Sequence, residues 1–183
     1  RRMKIIKVKT DSKNYDIKVG HDLLGSTPLK KFVSQKDILL IVDNKVPELL
    51  INKLKNNLKK SSSKKINSIK INASENNKNM SYLAKAYDYL IKNNYSRDCI
   101  IFGVGGGITC DMTGFIASTF LRGVDFVLVP TTLLSQVDAS IGGKTGVNHK
   151  GFKNMIGTFN QPVQVIIDTK FLKSLSKLEI QCG

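Results

Sequence analysis

An α/β fold with a largely parallel sheet is predicted by three features of this chain. Two apolar runs, residues 38–42 (ILLIV) and 99–104 (CIIFGV), sit between stretches of helical spacing, as strands buried on both faces do. Gly105, Gly106 and Gly107 follow the second run directly and lead into a helical stretch. At such a strand–turn–helix junction, backbone amides can approach a phosphate with no Cβ in the way. Strands separated by helices of this length call for right-handed crossovers and a parallel sheet, which makes the fold Rossmann-like.

The elements follow in order. Residues 4–8 and 15–19 read as short strands around a polar turn at 10–14, hence an N-terminal hairpin. Residues 21–33 carry helical spacing, and 37–42 form a buried strand. Val46, Leu49, Leu50, Leu54 and Leu58 mark a helix over 46–58, with a polar connector at 61–65. Residues 66–71 alternate as a strand does, and 72–79 form a loop. Tyr82, Leu83, Ala86, Tyr87, Leu90 and Ile91 define the buried stripe of a helix ending near Asn93 and Asn94. The strand at 99–104, a helix over 107–120, and a strand at 125–129 stopped by Pro130 complete the pattern. Residues 1–170 read as one α/β domain, and 171–183 as the start of a helical region.

At 183 residues and 41% hydrophobic content the chain can bury a real core. Its longest apolar runs are too short to span a bilayer, and no apolar block with a cleavage site marks a secretory signal. Cys99, Cys110 and Cys182 are odd in number and lack CxxC spacing, which fits reduced thiols in a cytoplasmic protein. The formal charge of +15 raises nucleic-acid binding, but the excess is almost all lysine, scattered among asparagines. Base or phosphate recognition by bidentate contacts favours arginine, so neither nucleic acid nor membrane is expected as a partner.

Several chemistries are excluded by pattern. Gly143-Lys144-Thr145 imitates the end of a P-loop, yet Asp138 stands where that motif needs a glycine. Gly103 and Gly105 begin a GxGxxG match, but Ile108 breaks it. With His21 and His149 as the two histidines, no multi-histidine metal site can form within the sequence.

The positive signals fall on one sheet edge. Asp43 and Asn44 follow the 37–42 strand, Glu75 and Lys78 the 66–71 strand, and Thr131 and Thr132 the 125–129 strand. Loops at the carboxyl ends of parallel strands are where open α/β sheets bind ligands. Beyond Thr132 come Asp138, Lys144, Lys153 and Asn154, with Arg122 upstream. Cations in glycine- and asparagine-rich turns suit a substrate bearing phosphate and carboxylate groups.

These residues resemble the 3-dehydroquinate synthase family of sugar-phosphate cyclases. Gly105-Gly106-Gly107-Ile108, Asp111, Gly114-Phe115, Leu121-Arg122-Gly123, Pro130-Thr131-Thr132-Leu133-Leu134 and Gln136-Val137-Asp138 match its pattern in order. Gly142-Gly143-Lys144-Thr145, Asn148-His149, Lys153-Asn154-Met155-Ile156-Gly157 and Gln161-Pro162 continue the match. Two departures stand out: the glycine of Lys150-Gly151-Phe152 comes one position early, and Cys110 replaces a customary glycine.

The resemblance implies roles. Asp43, Asn44, Lys45, Glu75 and Lys78 would hold the adenosine part of NAD. Gly106, Gly107, Ile108 and Asp111 would line its pyrophosphate and nicotinamide ribose, completed by Thr131, Thr132, Lys144, Lys153 and the turn Phe171, Leu172, Lys173 and Ser174. Asp138, Lys144 and Asn154 would face the substrate, 3-deoxy-D-arabino-heptulosonate 7-phosphate, and Arg122 a phosphate from the neighbouring subunit of a homodimer. The implied activity is a phosphate lyase and cyclase of the shikimate pathway, in aromatic amino acid biosynthesis. A divalent metal, zinc or cobalt, would be held by one glutamate and two histidines beyond Gly183, in a helical second domain. The chain would then be the N-terminal part of the enzyme, inactive alone. Another NAD-dependent sugar-phosphate cyclase, or a non-catalytic NAD-binding segment, are the alternatives.

Overall fold

A computed structural model describes residues 3–62, 64–139 and 142–174 of the chain. Its nine strands and four helices among those residues follow the predicted alternation closely at first. β1 (Lys4–Val8) and β2 (Tyr15–Gly20) form the antiparallel hairpin. Then come α1 (Lys30–Val33), β3 (Ile38–Asp43), α2 (Glu48–Ser61), β4 (Ile66–Ile71), α3 (Met80–Lys92) and β5 (Ile100–Gly105). α4 (Gly107–Thr119), β6 (Asp125–Pro130), β7 (Lys144–His149), β8 (Phe152–Phe159) and β9 (Gln164–Asp168) complete the series.

β1 to β6 and β9 make one seven-stranded sheet in the order β1-β2-β9-β6-β5-β3-β4, parallel except at β1. Every residue of β3 and β5 is buried, because helices cover both faces. Leu39 and Ile41 point into the core beneath α3 and α4, with Leu83, Leu90, Phe115 and Ile116. Ile38, Leu40 and Val42 point into the opposite core, with Leu50, Ile51, Leu54 and Leu58 of α2.

Glycines on β5 set how closely α4 lies on the sheet. A Cβ at Gly103 would meet Thr113 Oγ1 at 2.4 Å, and one at Gly105 would meet Thr109 Oγ1 at 2.4 Å. The two threonines occupy the notches that the glycines leave.

The sequence pattern is corrected in three places, the first being β9, a wholly buried strand between β2 and β6 that the pattern did not assign. Residues 21–33 form a helix at Lys30–Val33 alone. The amides that would open a longer helix are taken elsewhere: Asp22 and Leu23 N–H donate to the buried Asp168 carboxylate at 2.9 and 2.7 Å, and Leu24 N–H at 3.2 Å. Pro28 further disfavours helical geometry at Thr27. Lys144, Lys153 and Asn154 lie in the paired strands β7 and β8 rather than in turns. Seven of the eight residues of β8 are exposed, so no alternation of apolar and polar residues marked it as a strand. The helical expectation for 175–183 lies outside the described residues; Thr169–Ser174 form a 3-10 turn.

No helix among the described residues is long and apolar enough to cross a membrane.

Candidate functional site

The sheet reverses its direction of growth between β3 and β5. α2 leaves β3 toward one face of the sheet and α4 leaves β5 toward the other, so a crevice opens above their carboxyl ends. It is a cleft of about 340 Å³, lined by Asp43, Lys45, Gly106, Gly107, Ile108, Thr131, Thr132 and Phe171. Val46, Pro47 and Ala73 also line it, small or apolar positions that the sequence did not mark as site residues.

α4 enters this cleft by its N-terminus. Gly106 is the N-cap and supplies no side-chain cap, so the first-turn amides have no side-chain acceptor among the described residues. They carry the partial positive end of a thirteen-residue helix and suit an anion. Of the three glycines, Gly106 and Gly107 face the cleft, whereas Gly105 is spent on packing against Thr109.

The remaining cleft groups are set by local bonds. Asp43 is buried at the end of β3, where its Oδ1 accepts from the Lys45 N–H at 3.1 Å. Thr131 N–H donates to the Gly105 carbonyl at 2.9 Å, tying the β6 loop to the glycine turn. Thr132 Oγ1 and N–H both donate to Ser135 Oγ, at 2.8 and 3.1 Å. Asn44 is exposed and does not line the cleft, and its N–H donates to the Ile71 carbonyl at 2.8 Å.

A second polar group sits between α4, the loop after β4, and the β7–β8 hairpin. Lys78, only 4% exposed, donates to Asp111 Oδ2 at 2.6 Å and to Asn154 Oδ1 at 2.7 Å. Burial pushes the Asp111 carboxyl above its ordinary value, against the opposing pull of the Lys78 ammonium. Glu75 accepts from Asn148 Nδ2 at 2.8 Å. Thus Glu75, Lys78, Asp111 and Asn154 come together, and Asn148 joins them without having been singled out from the sequence. Its signal was the Asn148-His149 pair of the family pattern.

Other expected site residues stand apart from this cluster. Lys144 is exposed at the start of β7, paired in register with Phe159, while Asn154 lies toward the other end of the hairpin. Lys153 is exposed on β8. Arg122 is exposed within Leu121, Arg122 and Gly123, three successive residues at φ of 49°, 65° and 121°. Leu172 is half-buried beside Phe171, and the side chains of Asp138, Lys173 and Ser174 lie outside the described residues. No three His, Cys, Asp or Glu side chains among the described residues are grouped to hold a metal.

The 3-dehydroquinate synthase N-terminal family matches residues 68–182, more than half of the sequence. The chain belongs to that family. A 3-dehydroquinate synthase from Pelagibacter ubique is 45% identical, over 97% of this chain and 48% of the relative. The chain spans about half the length of the curated relatives it matches. Among solved structures, a 2-deoxy-scyllo-inosose synthase shares the fold at a TM-score of 0.89, with 22% identity over 98% of this chain and 51% of that one. The 2-epi-5-epi-valiolone synthase from Streptomyces hygroscopicus, solved with NAD+ and Zn2+ bound, is 29% identical at a TM-score of 0.80. That match covers 92% of this chain and 47% of the synthase.

Proposed function

We propose that this chain is the nucleotide-binding part of a 3-dehydroquinate synthase. The reaction converts 3-deoxy-D-arabino-heptulosonate 7-phosphate to 3-dehydroquinate and phosphate, with NAD used catalytically in the shikimate pathway. The observation that carries this is the cleft between β3 and β5, lined together by the uncapped N-terminus of α4, its glycines Gly106 and Gly107, and the buried Asp43. Membership of the family and the NAD+ bound in the valiolone synthase support it.

The residues of the cleft fit a dinucleotide. Asp43 offers a carboxylate to ribose hydroxyls, and Lys45 a cation beside it. The first-turn amides of α4, reached over Gly106 and Gly107, would hold the pyrophosphate. Thr131 and Thr132 flank the same turn, and Phe171 gives an apolar wall. When bound, NAD supplies a hydride acceptor that later returns the hydride. The chain's own part is orientation and water exclusion, with Asn154 and Lys144 as donors toward the sugar's oxygens. Zinc or cobalt belongs to the proposal for a protein of the relatives' whole length.

In a homodimer, Arg122 would serve the neighbouring subunit's phosphate. The left-handed backbone at Leu121 and Arg122 supports this, since it holds the guanidinium out on an exposed turn. A second reading, another sugar-phosphate cyclase, draws on the likeness to the valiolone synthase. The test is an assay of a full-length protein with NAD and a divalent metal. Dehydroquinate formed from the heptulosonate phosphate and not from glucose 6-phosphate supports the proposal. Turnover of glucose 6-phosphate alone favours the second reading, and turnover by the 183-residue chain alone contradicts the proposed division of labour.

A further inference from the structure

One side chain fastens the turn of the β7–β8 hairpin to the loop after β4. Asn148 Nδ2 donates to the Glu75 carboxylate at 2.8 Å and to the Glu75 carbonyl at 3.2 Å. Its backbone N–H donates to the Lys78 carbonyl at 2.7 Å. Its Oδ1 accepts from the Asn154 N–H at 2.9 Å. One asparagine thereby spends its donors on one segment and its acceptor on another.

The consequences fall on Asn154, whose φ of 53° lies in the left-handed region. That conformation persists where surrounding contacts hold it, and the bond to Asn148 Oδ1 is one of them. The far end of Asn154 is fixed as well, because its Oδ1 accepts from Lys78 Nζ at 2.7 Å. An ammonium can only donate, so the amide must turn its oxygen to Lys78 and its Nδ2 donors away. Lys78 is in turn held by Asp111 at 2.6 Å.

We infer that Asn148 is a positioning residue for the proposed reaction. It locks the backbone of Asn154 to the loop bearing Glu75 and Lys78. Asn154 then presents its two N–H donors, already oriented, to an oxygen of a hydroxylated anionic substrate. This inference rests on the proposed function, and its test separates the two.

In the full-length protein at saturating NAD, Asn148→Asp keeps the acceptor for Asn154 but sets a carboxylate against Glu75. Its kcat/KM for the sugar phosphate is expected to fall about tenfold or more, the scale of one charge-assisted hydrogen bond lost. Adding Glu75→Gln restores a hydrogen bond with donor and acceptor exchanged. The double variant is expected within about threefold of Glu75→Gln alone, a coupling that a loosened fold would not give. Backbone amide exchange at Asn154, measured without substrate, is expected to quicken at least about tenfold in Asn148→Ala. The inference is overturned if Asn148→Asp matches the wild type, if Glu75→Gln fails to rescue it, or if exchange at Asn154 is unchanged. Absence of dehydroquinate formation by the wild type would instead sink the proposed function, with the exchange measurement still deciding the clamp.

Discussion

Burial governs the chemistry of single residues here. Cys99 is buried at the head of β5, and desolvation pushes its thiol up to about 11. Burial within α4 raises the Cys110 thiol further still. The thiolate is the reactive form, so neither should be modified at mildly alkaline pH. In a Cys182→Ser protein, a chromogenic disulfide reagent is expected to remain unreacted until urea unfolds the chain. Rapid colour from the folded protein would contradict the burial. Asp125 shows the opposite balance. Partial burial works to raise its carboxyl, but the ammonium of Lys36 at 2.9 Å, helped by Lys13 at 3.4 Å, brings it below its ordinary value. A depressed carboxyl stabilises the fold above its unfolded value and loses that effect as pH falls through its folded value. With 39% of the side chain exposed, the contribution is screened. Asp125→Asn is therefore expected to cost about 0.5–1 kcal/mol near neutral pH, fading in acid, as read by urea unfolding at both. Lys78 shows the limit of sequence at this scale. In Glu75-Asn76-Asn77-Lys78 it looks like a surface charge, and only the packing of α4 and β8 around it makes it a buried partner of Asp111.

At the scale of elements, what could be seen in the sequence depended on which faces are buried. β3, β5 and β6 were legible because both faces are covered and the runs are continuously apolar. β8 was not, since nearly all its side chains are exposed and its register comes from pairing with β7. The segment 21–33 had helical spacing, but Asp168, distant in sequence, captured its amides. The glycines were legible as a strand–helix junction, though not as two kinds. Gly103 and Gly105 serve packing, and Gly106 and Gly107 serve the cleft. The packing role can be tested by substitution. Gly103→Ala drives a Cβ to within 2.4 Å of Thr113 Oγ1. The cost is expected at about 1–3 kcal/mol by chemical denaturation, the scale of overpacking. Adding Thr113→Gly should recover part of it, less the roughly 1 kcal/mol that a glycine costs inside a helix. No loss in Gly103→Ala would mean that α4 does not press on β5.

At the scale of the whole molecule, the doubly wound order places the cleft. Helices leaving β3 and β5 on opposite faces open one crevice at the carboxyl edge, and the loops singled out from the sequence converge on that edge. They divide there between the cleft itself and the cluster around Lys78. The net charge of +15 comes almost entirely from lysine, and most of the described lysines are exposed. Equilibrium dialysis of NAD against the full-length protein bears on this arrangement most directly. Saturable uptake of one NAD per chain is expected. Gly106→Val should weaken it at least about tenfold, because its Cβ would lie 3.1 Å from Thr132 Cγ2 and cover the helix N-terminus. No saturable uptake by the wild type, or equal uptake by Gly106→Val, would contradict a nucleotide site between β3 and β5.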